Sequence, residues 1–163
     1  MDKTTRREVE KSFLEVSRAA ARKKIYALRA EQDGESQLAR LFRAIAISEE
    51  AQATRLLLQL RGQTGTNYQN CKTSFEEEIP NLKKQYEQAM EKAAAAGERA
   101  ISSLFAQSAK VERIHLNLKK KLETTSTKDT SYHICSFCGF IMENHPPEKC
   151  PVCTAPASRF KNI

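Results

Sequence analysis

The stretches Cys135-Ser-Phe-Cys138 and Cys150-Pro-Val-Cys153 decide the fold at the C-terminal end of this chain. Each is a CxxC pair, and eleven residues separate the two, a spacing at which a short hairpin brings four thiolates around one metal ion. Four sulfur ligands favour tetrahedral, thiophilic ions, so the pattern predicts either zinc or a single iron. Zinc would make the site structural, whereas iron would make it an electron carrier.

The segment around these cysteines is too short to form a hydrophobic core of its own. The chain has 163 residues, which is enough for one main domain and a small module that a metal ion stabilises. A polar stretch rich in threonine precedes the module. We therefore predict a helical domain over residues 1–124, a linker over 125–132 and a four-cysteine domain over 133–163.

Cysteine spacing and net charge indicate in which cellular compartment the protein works and which partners it binds. The N-terminal residues form no apolar signal-peptide stretch, and paired CxxC spacing favours metal binding in a reducing compartment, so we expect a cytoplasmic protein. No apolar run is long enough to cross a membrane. The net charge is +7, but the basic residues are dispersed along predicted helical faces. That dispersal favours a solvated basic surface over nucleic-acid binding.

Four helices are predicted before the cysteine module. Helix 1 covers Thr5 to Gln32 and opens with the capping box Thr5-Arg-Arg-Glu8. Asp33-Gly34 ends it, and helix 2 continues to Arg61, with Gly62 as its stop. Residues 62–70 are predicted to be a loop.

Helix 3 is predicted to start at Thr73 or Ser74 and to end at Gly97, with a kink at Pro80. Helix 4 follows and extends to Leu122. Amphipathic helices of this length, joined as two long pairs, predict an all-α antiparallel four-helix bundle.

An internal repeat relates the two predicted helix pairs. At an offset of 63 residues, Gly34 falls on Gly97, and Leu41-Phe42 falls on Leu104-Phe105. The same offset pairs Glu15 with Glu78, Glu49 with Glu112, and Gln52 with His115. The helical domain is therefore predicted to be a duplicated helix pair.

The repeat places glutamates on the predicted core side of the helices. On helix 2, Glu49 continues a seam through Leu38, Phe42, Ile45, Gln52 and Leu56, and Glu112 occupies the matching seam of helix 4. A bare carboxylate in a core costs several kcal/mol unless it is paired or ligates a metal ion. The seam therefore predicts a metal site inside the bundle.

The donor types follow a known pattern for di-iron bundles: one glutamate from each of two helices and a Glu-x-x-His motif from each of the other two. The candidate residues are Glu15, Glu78, Glu112-Arg-Ile-His115 and Glu49-Glu-Ala-Gln52. Gln52 brings neither a charge nor an imidazole. A single Glu-x-x-His is also common on helix surfaces, and the stripe through Val9, Phe13 and Val16 leaves the flank of helix 1 as the alternative position of Glu15.

These motifs, together with Ile134-Cys-Ser-Phe-Cys-Gly-Phe140, Pro147-Glu-Lys-Cys-Pro-Val-Cys153 and Phe160, resemble a rubrerythrin over nearly the whole chain. The resemblance implies a ferritin-like four-helix bundle followed by a rubredoxin-like domain. It also implies a non-haem iron oxidoreductase in which a rubredoxin-type iron passes electrons to a di-iron site that reduces hydrogen peroxide. Its iron ligands would be Cys135, Cys138, Cys150 and Cys153 at the single iron, and Glu15, Glu49, Glu78, Glu112 and His115 at the di-iron site.

The resemblance further implies a homodimer, in which the module of one subunit reaches the bundle of the other, and an electron-donating reductase or rubredoxin. The chain departs from the family pattern at Gln52, where a histidine is expected, and at Asn81, where a glutamate is expected. A one-residue change of phase in helix 1 would put Val16 at the ligand position. We therefore expect an altered di-iron site, either one that holds a single metal ion or one that binds its metal weakly.

Two functions remain open from the sequence. One is peroxide reduction through both metal sites. The other is a degenerate, non-catalytic metal-binding or scaffold protein with a structural zinc or an electron-carrier iron at the cysteines.

Overall fold

The computed structural model describes residues 1–61, 65–124 and 130–163. Within these ranges, five α-helices and one π-helical segment come first, followed by three short strands, with a single turn of 3₁₀-helix before the last strand. The helices are α1 (Lys3–Gln32), α2 (Ser36–Arg61), α3 (Asn67–Lys72), α4 (Ile79–Ala95) and α5 (Arg99–Thr124), and the π-helical segment is Thr73–Glu78. Because α3, the π-helical segment and α4 run on without a break, the chain has four long helices, which confirms the predicted helical fold with a small C-terminal region. It divides into two compact units, Met1–Gly65 and Thr66–Ile163.

The first unit is a hairpin of α1 and α2. The carboxylate of Asp2 caps α1 by accepting the backbone N–H groups of Thr4 and Thr5 at 2.9 and 3.0 Å. The predicted start at Thr5 is therefore wrong by two residues, because the aspartate supplies an earlier cap. At the other end, Gly34 has a φ of +81°, a left-handed conformation that glycine adopts without strain.

Alanines hold the two helices of this hairpin together. Ala39, Ala46 and Ala53 of α2 are buried at intervals of seven residues, and Ala20 and Ala27 of α1 have the same spacing. Small side chains at one heptad position let two helix backbones approach closely. The predicted seam lies beside this row, since Leu38 is 41% exposed.

The second unit begins with a helix that the sequence analysis missed. Thr66 caps α3 through a capping box with Gln69: the Gln69 N–H donates to Thr66 Oγ1 at 3.3 Å, and the Thr66 N–H donates to Gln69 Oε1 at 2.8 Å. The predicted loop is therefore wrong over Asn67–Asn70, and the predicted start at Thr73 or Ser74 is wrong as well, because Thr66 provides an earlier N-cap. The predicted stop at Gly62 lies outside the described residues.

The π-helical segment Thr73–Glu78 lies directly before Ile79-Pro80. Proline has no backbone N–H to donate, and a local change to wider hydrogen bonding is one way in which a helix accommodates such an interruption. Helix α4 then continues to Ala95. The disturbance that Pro80 predicts is therefore present as a π-helical segment, and the helix is not broken.

The turn between α4 and α5 repeats the turn between α1 and α2. Gly97 has a φ of +78°, close to the +81° of Gly34. The Glu35 N–H donates to Ala30 O at 2.8 Å, and the Glu98 N–H donates to Ala93 O at 2.9 Å. All of these atoms are related by the offset of 63 residues, so the two turns have the same hydrogen-bonding geometry.

A three-stranded antiparallel sheet forms the C-terminal region of the second unit. Its strands are β1 (Tyr132–Cys135), β2 (Ile141–Glu143) and β3 (Phe160–Asn162), in the order β2-β1-β3. Most of the predicted linker, residues 125–129, lies outside the described residues. Within the described ranges, not one helix combines the length and the apolar character that a bilayer crossing requires.

We predict that Ala46→Leu destabilises the hairpin by about 1–3 kcal/mol, because the added carbons have to fit between two closely packed backbones. Denaturant unfolding followed by circular dichroism would measure this change. Ala44→Leu is the matched control, since Ala44 is exposed on the same helix. Equal unfolding midpoints for the two variants would contradict the alanine seam.

Candidate metal centre

Two tight turns present the cysteines. Cys135 ends β1, and its carbonyl accepts the Gly139 N–H at 2.9 Å, while the Cys150 carbonyl accepts the Thr154 N–H at 2.8 Å. Gly139 and Thr154 both have positive φ values, +81° and +63°. This left-handed residue after each CxxC pair reverses the chain, so the two cysteines of each pair point to the same side.

The four sulfur atoms converge on one point. Cys135 Sγ lies 3.7 Å from Cys153 Sγ, Cys138 Sγ lies 3.6 Å from Cys150 Sγ, and all four sulfurs are within 4.8 Å of one another. A tetrahedral ion with metal–sulfur bonds of about 2.3 Å separates its ligands by roughly 3.8 Å. None of the four cysteines forms a disulfide. The geometry therefore fits a single four-thiolate metal ion.

Burial raises the pKa values of these cysteine thiols, whereas hydrogen bonds from backbone N–H groups lower them. Burial disfavours the thiolate of Cys135, but N–H groups of Cys138 and Phe137 donate to its sulfur and leave its pKa below the ordinary value. Burial raises the pKa of Cys138 and of Cys153. A metal ion that binds here has to displace protons, and it also supplies the positive charge that the buried sulfurs lack.

Apolar side chains surround the centre. The buried residues of this core are Val111, Cys135, Phe140 and Cys150. Phe140 and Phe160 meet edge to face, with their ring centroids 6.2 Å apart. The CxxC spacing predicted the four cysteines that converge here. Val111, which comes from α5, was missed because no sequence signal marks it except its place next to Glu112.

In the first unit, the predicted bundle ligands are paired with basic side chains. Glu15 is 60% exposed and forms an ion pair with Arg18 at 3.2 Å. The side chain of Glu49 is only 17% exposed, and its Oε1 accepts from Lys23 Nζ at 2.6 Å. Its other oxygen, Oε2, is buried without a hydrogen-bond partner. Gln52 is exposed.

The pairing of Lys23 with Glu49 was not predicted from the sequence. Its signal was present in the basic run Arg22-Lys23-Lys24, which was interpreted as a solvated face. The ammonium of Lys23 now supplies the positive charge that a metal ion would bring to Glu49. One oxygen of Glu49 therefore already has a cation beside it, and the role of Glu49 as a metal ligand stays a prediction.

In the second unit, Glu112 and His115 lie together. Glu112 Oε2 is 3.1 Å from His115 Nδ1, and their side chains are 14% and 25% exposed. Glu78 and Asn81 are both exposed. Across the described part of the chain, only the four cysteines form a group of three or more metal-ligand side chains. The di-iron ligand set therefore stays a prediction.

Comparison with known proteins agrees with the cysteine geometry. Residues 133–161 match the family model for the rubredoxin-like domain of rubrerythrin. This part of the chain is therefore a rubrerythrin-type rubredoxin-like domain. A search of curated proteins gives no match.

Solved structures of nigerythrin, a rubrerythrin-family protein, match nearly the whole chain. Its partially reduced state is 22% identical, covers 98% of this chain and 86% of the nigerythrin chain, and has a TM-score of 0.54. The mixed-valence state is 23% identical with a TM-score of 0.52, and the fully reduced, all-ferrous state is 22% identical with a TM-score of 0.53, both at the same coverage. The chain thus has the fold of nigerythrin, and its resemblance to rubrerythrins is confirmed.

We predict that Cys150→Ser abolishes stoichiometric metal binding, because only three thiolates remain around the ion. Metal per chain, measured by mass spectrometry, should fall to a small fraction of the original value. Amide hydrogen exchange should rise in residues 130–163 and stay unchanged in the helices. Cys71→Ser is the control, since Cys71 is exposed and outside the centre. A Cys150→Ser protein that keeps one tightly bound ion would contradict the assignment.

The metal affinity should fall as the pH is lowered. Cys138 and Cys153 hold their protons more tightly than ordinary thiols, and protons compete with the metal for each sulfur. We therefore expect Zn²⁺ binding to the apoprotein to release protons and to weaken from about pH 8 to about pH 6. Isothermal titration in buffers of different ionisation enthalpy would measure both effects. An affinity independent of pH would argue against thiol ligands.

Proposed function

We propose that this protein is an electron carrier, in which Cys135, Cys138, Cys150 and Cys153 bind one iron. The observation that carries the proposal is the convergence of four sulfurs within 4.8 Å, inside a domain of the rubrerythrin rubredoxin-like type. The nigerythrin structures with the same fold are described as partially reduced, mixed-valence and all-ferrous, so iron in that protein changes its oxidation state. Iron bound here would supply one-electron chemistry between its ferric and ferrous states.

The side chains and backbone of the centre suit this role. Backbone N–H groups donate to Cys135, to Cys138 and to Cys153, and such donors stabilise the additional negative charge of a reduced four-thiolate site. Cys135 and Cys150 are almost fully buried, which keeps water away from two of the sulfurs. The ring of Phe137, between the first two cysteines, is 73% exposed. It offers an apolar contact for the electron donor, a reductase or a rubredoxin.

Peroxide reduction at a bundle di-iron site is the second candidate. The contact between Glu112 and His115 favours it, because these two residues carry one complete Glu-x-x-His motif. The ion pair between Lys23 and Glu49 disfavours it, because a cation already neutralises the matching glutamate. We therefore propose that electron transfer at the cysteines is the main activity. Peroxide turnover, which would require a homodimer, is the second candidate.

The iron content tests this proposal. Protein produced with excess iron should contain about one iron per chain, be red when oxidised, lose its colour on reduction, and consume hydrogen peroxide no faster than free iron does. A colourless protein with one zinc would make the site structural. About three irons per chain, together with peroxide consumption, would establish the di-iron function instead.

The role of Lys23 can be tested separately. Lys23→Gln should lower the free energy of unfolding by about 1–2 kcal/mol, because it leaves the half-buried Glu49 carboxylate without its counter-charge. Lys24→Gln is the matched control, since the neighbouring pair of Lys24 and Glu50 is exposed and should be worth less than about 1 kcal/mol. Equal losses in thermal or denaturant unfolding would show that Lys23 has no special role.

A further inference from the structure

Helix α5 lies directly against the cysteine module within the second unit. Lys110 Nζ donates to the carbonyl oxygen of Pro151 at 2.9 Å, and Val111 belongs to the same buried core as Cys135 and Cys150. Ile114, one turn further along α5, packs against this core. Side chains of α5 therefore contact both a metal loop and the apolar core that contains two of the cysteines.

Val111 is buried in the core that contains Cys135 and Cys150. It is only 5% exposed, and a Cβ placed on Gly139 would lie 3.9 Å from Val111 Cγ1. The glycine that turns the chain after Cys138 thus faces the valine across a short gap. An apolar side chain at this place excludes water from the metal ligands, and solvent exposure is one of the factors that set the reduction potential of a sulfur-ligated iron.

Lys110 brings a positive charge to the second metal loop. Pro151 lies between Cys150 and Val152, so its carbonyl is part of the loop that presents two of the four ligands. A four-thiolate iron carries one more negative charge when it is reduced. A nearby cation therefore stabilises the reduced form and raises the reduction potential, although exposure of the lysine to solvent weakens the effect.

The helix also contacts the module at a point outside the metal loops. Lys121 forms an ion pair with Glu143 on β2. This pair joins α5 to the sheet and touches neither CxxC turn. Lys121 therefore attaches the module to α5 without contacting a metal loop, whereas Lys110 contacts one. A substitution of Lys121 is the matched control for a substitution of Lys110.

We propose that α5 is a wall of the four-cysteine centre, in which Lys110 is a positioning residue that raises the reduction potential and Val111 keeps water from the sulfurs. The part that concerns Lys110 rests on the proposed function, because it requires iron. The part that concerns Val111 holds for any metal ion bound by the four cysteines.

The first experiment measures the midpoint potential of the full-length iron protein at low ionic strength by spectroelectrochemistry. Lys110→Gln should shift it downwards, Lys110→Arg should keep it close to that of the unchanged protein, and Lys121→Gln should leave it unchanged. The absorption spectrum and one iron per chain confirm that each variant is folded around its metal. An unchanged potential in Lys110→Gln, or an equal shift in Lys121→Gln, would overturn the role of Lys110.

The second experiment measures the rate at which the metal is lost to an excess of chelator. Val111→Thr keeps the side-chain shape but adds a hydroxyl, so metal release should be several-fold faster than in the unchanged protein. Val9→Thr on α1 is the control, since Val9 is half-buried and belongs to the other unit. Equal release rates for Val111→Thr and the unchanged protein would overturn the role of Val111.

The two experiments also separate this inference from the proposed function. A protein that holds only zinc would overturn electron transfer and with it the role of Lys110, while the release rate would still decide the role of Val111. An iron protein with normal redox behaviour, unchanged in all of these variants, would retain the proposed function and overturn the inference.

Discussion

The convergence of four sulfur atoms is the constraint on which the C-terminal region depends. Within residues 130–163, the almost fully buried side chains are Cys135, Phe140 and Cys150, and Val111 completes their core from α5. So few apolar groups bury too little surface to order a sheet of three short strands. A metal ion bound by the cysteines would supply the missing stabilisation, because its binding free energy becomes folding free energy. Folding of this region and metal binding are therefore expected to be coupled.

The duplicated helix pairs have diverged in how they accommodate a glutamate. Both pairs keep the same glycine turn, but Glu49 is paired with Lys23 from the neighbouring helix, whereas Glu112 contacts His115 on its own helix. At the offset of 63 residues, the position of Lys23 is occupied by Tyr86, which stacks on Phe105 with ring centroids 6.3 Å apart. One half thus pairs one oxygen of its carboxylate with a lysine, and the other half pairs one oxygen with an imidazole. This asymmetry supports the proposal that the redox chemistry lies at the cysteines.

Local sequence signals predicted much of this structure. The CxxC spacing identified all four sulfur ligands, and the glycine repeat identified the two helix pairs, because both depend on residues a few positions apart. The start of α3 was missed because threonines at several positions make equally good N-caps, and packing decides among them. The pairing of Lys23 with Glu49 was missed because it joins residues 26 positions apart in sequence, and its geometry depends on how closely the alanines let the helices approach.

Mössbauer spectroscopy of protein produced with isotopically enriched iron would test directly whether the four cysteines bind a redox-active iron. We expect one iron species with the parameters of tetrahedral sulfur coordination, which converts completely from ferric to ferrous on reduction. A second species with oxygen and nitrogen ligands, in comparable or greater amount, would contradict the claim that the cysteines alone carry the redox chemistry. The absence of any sulfur-ligated iron would contradict the claim that this protein carries electrons.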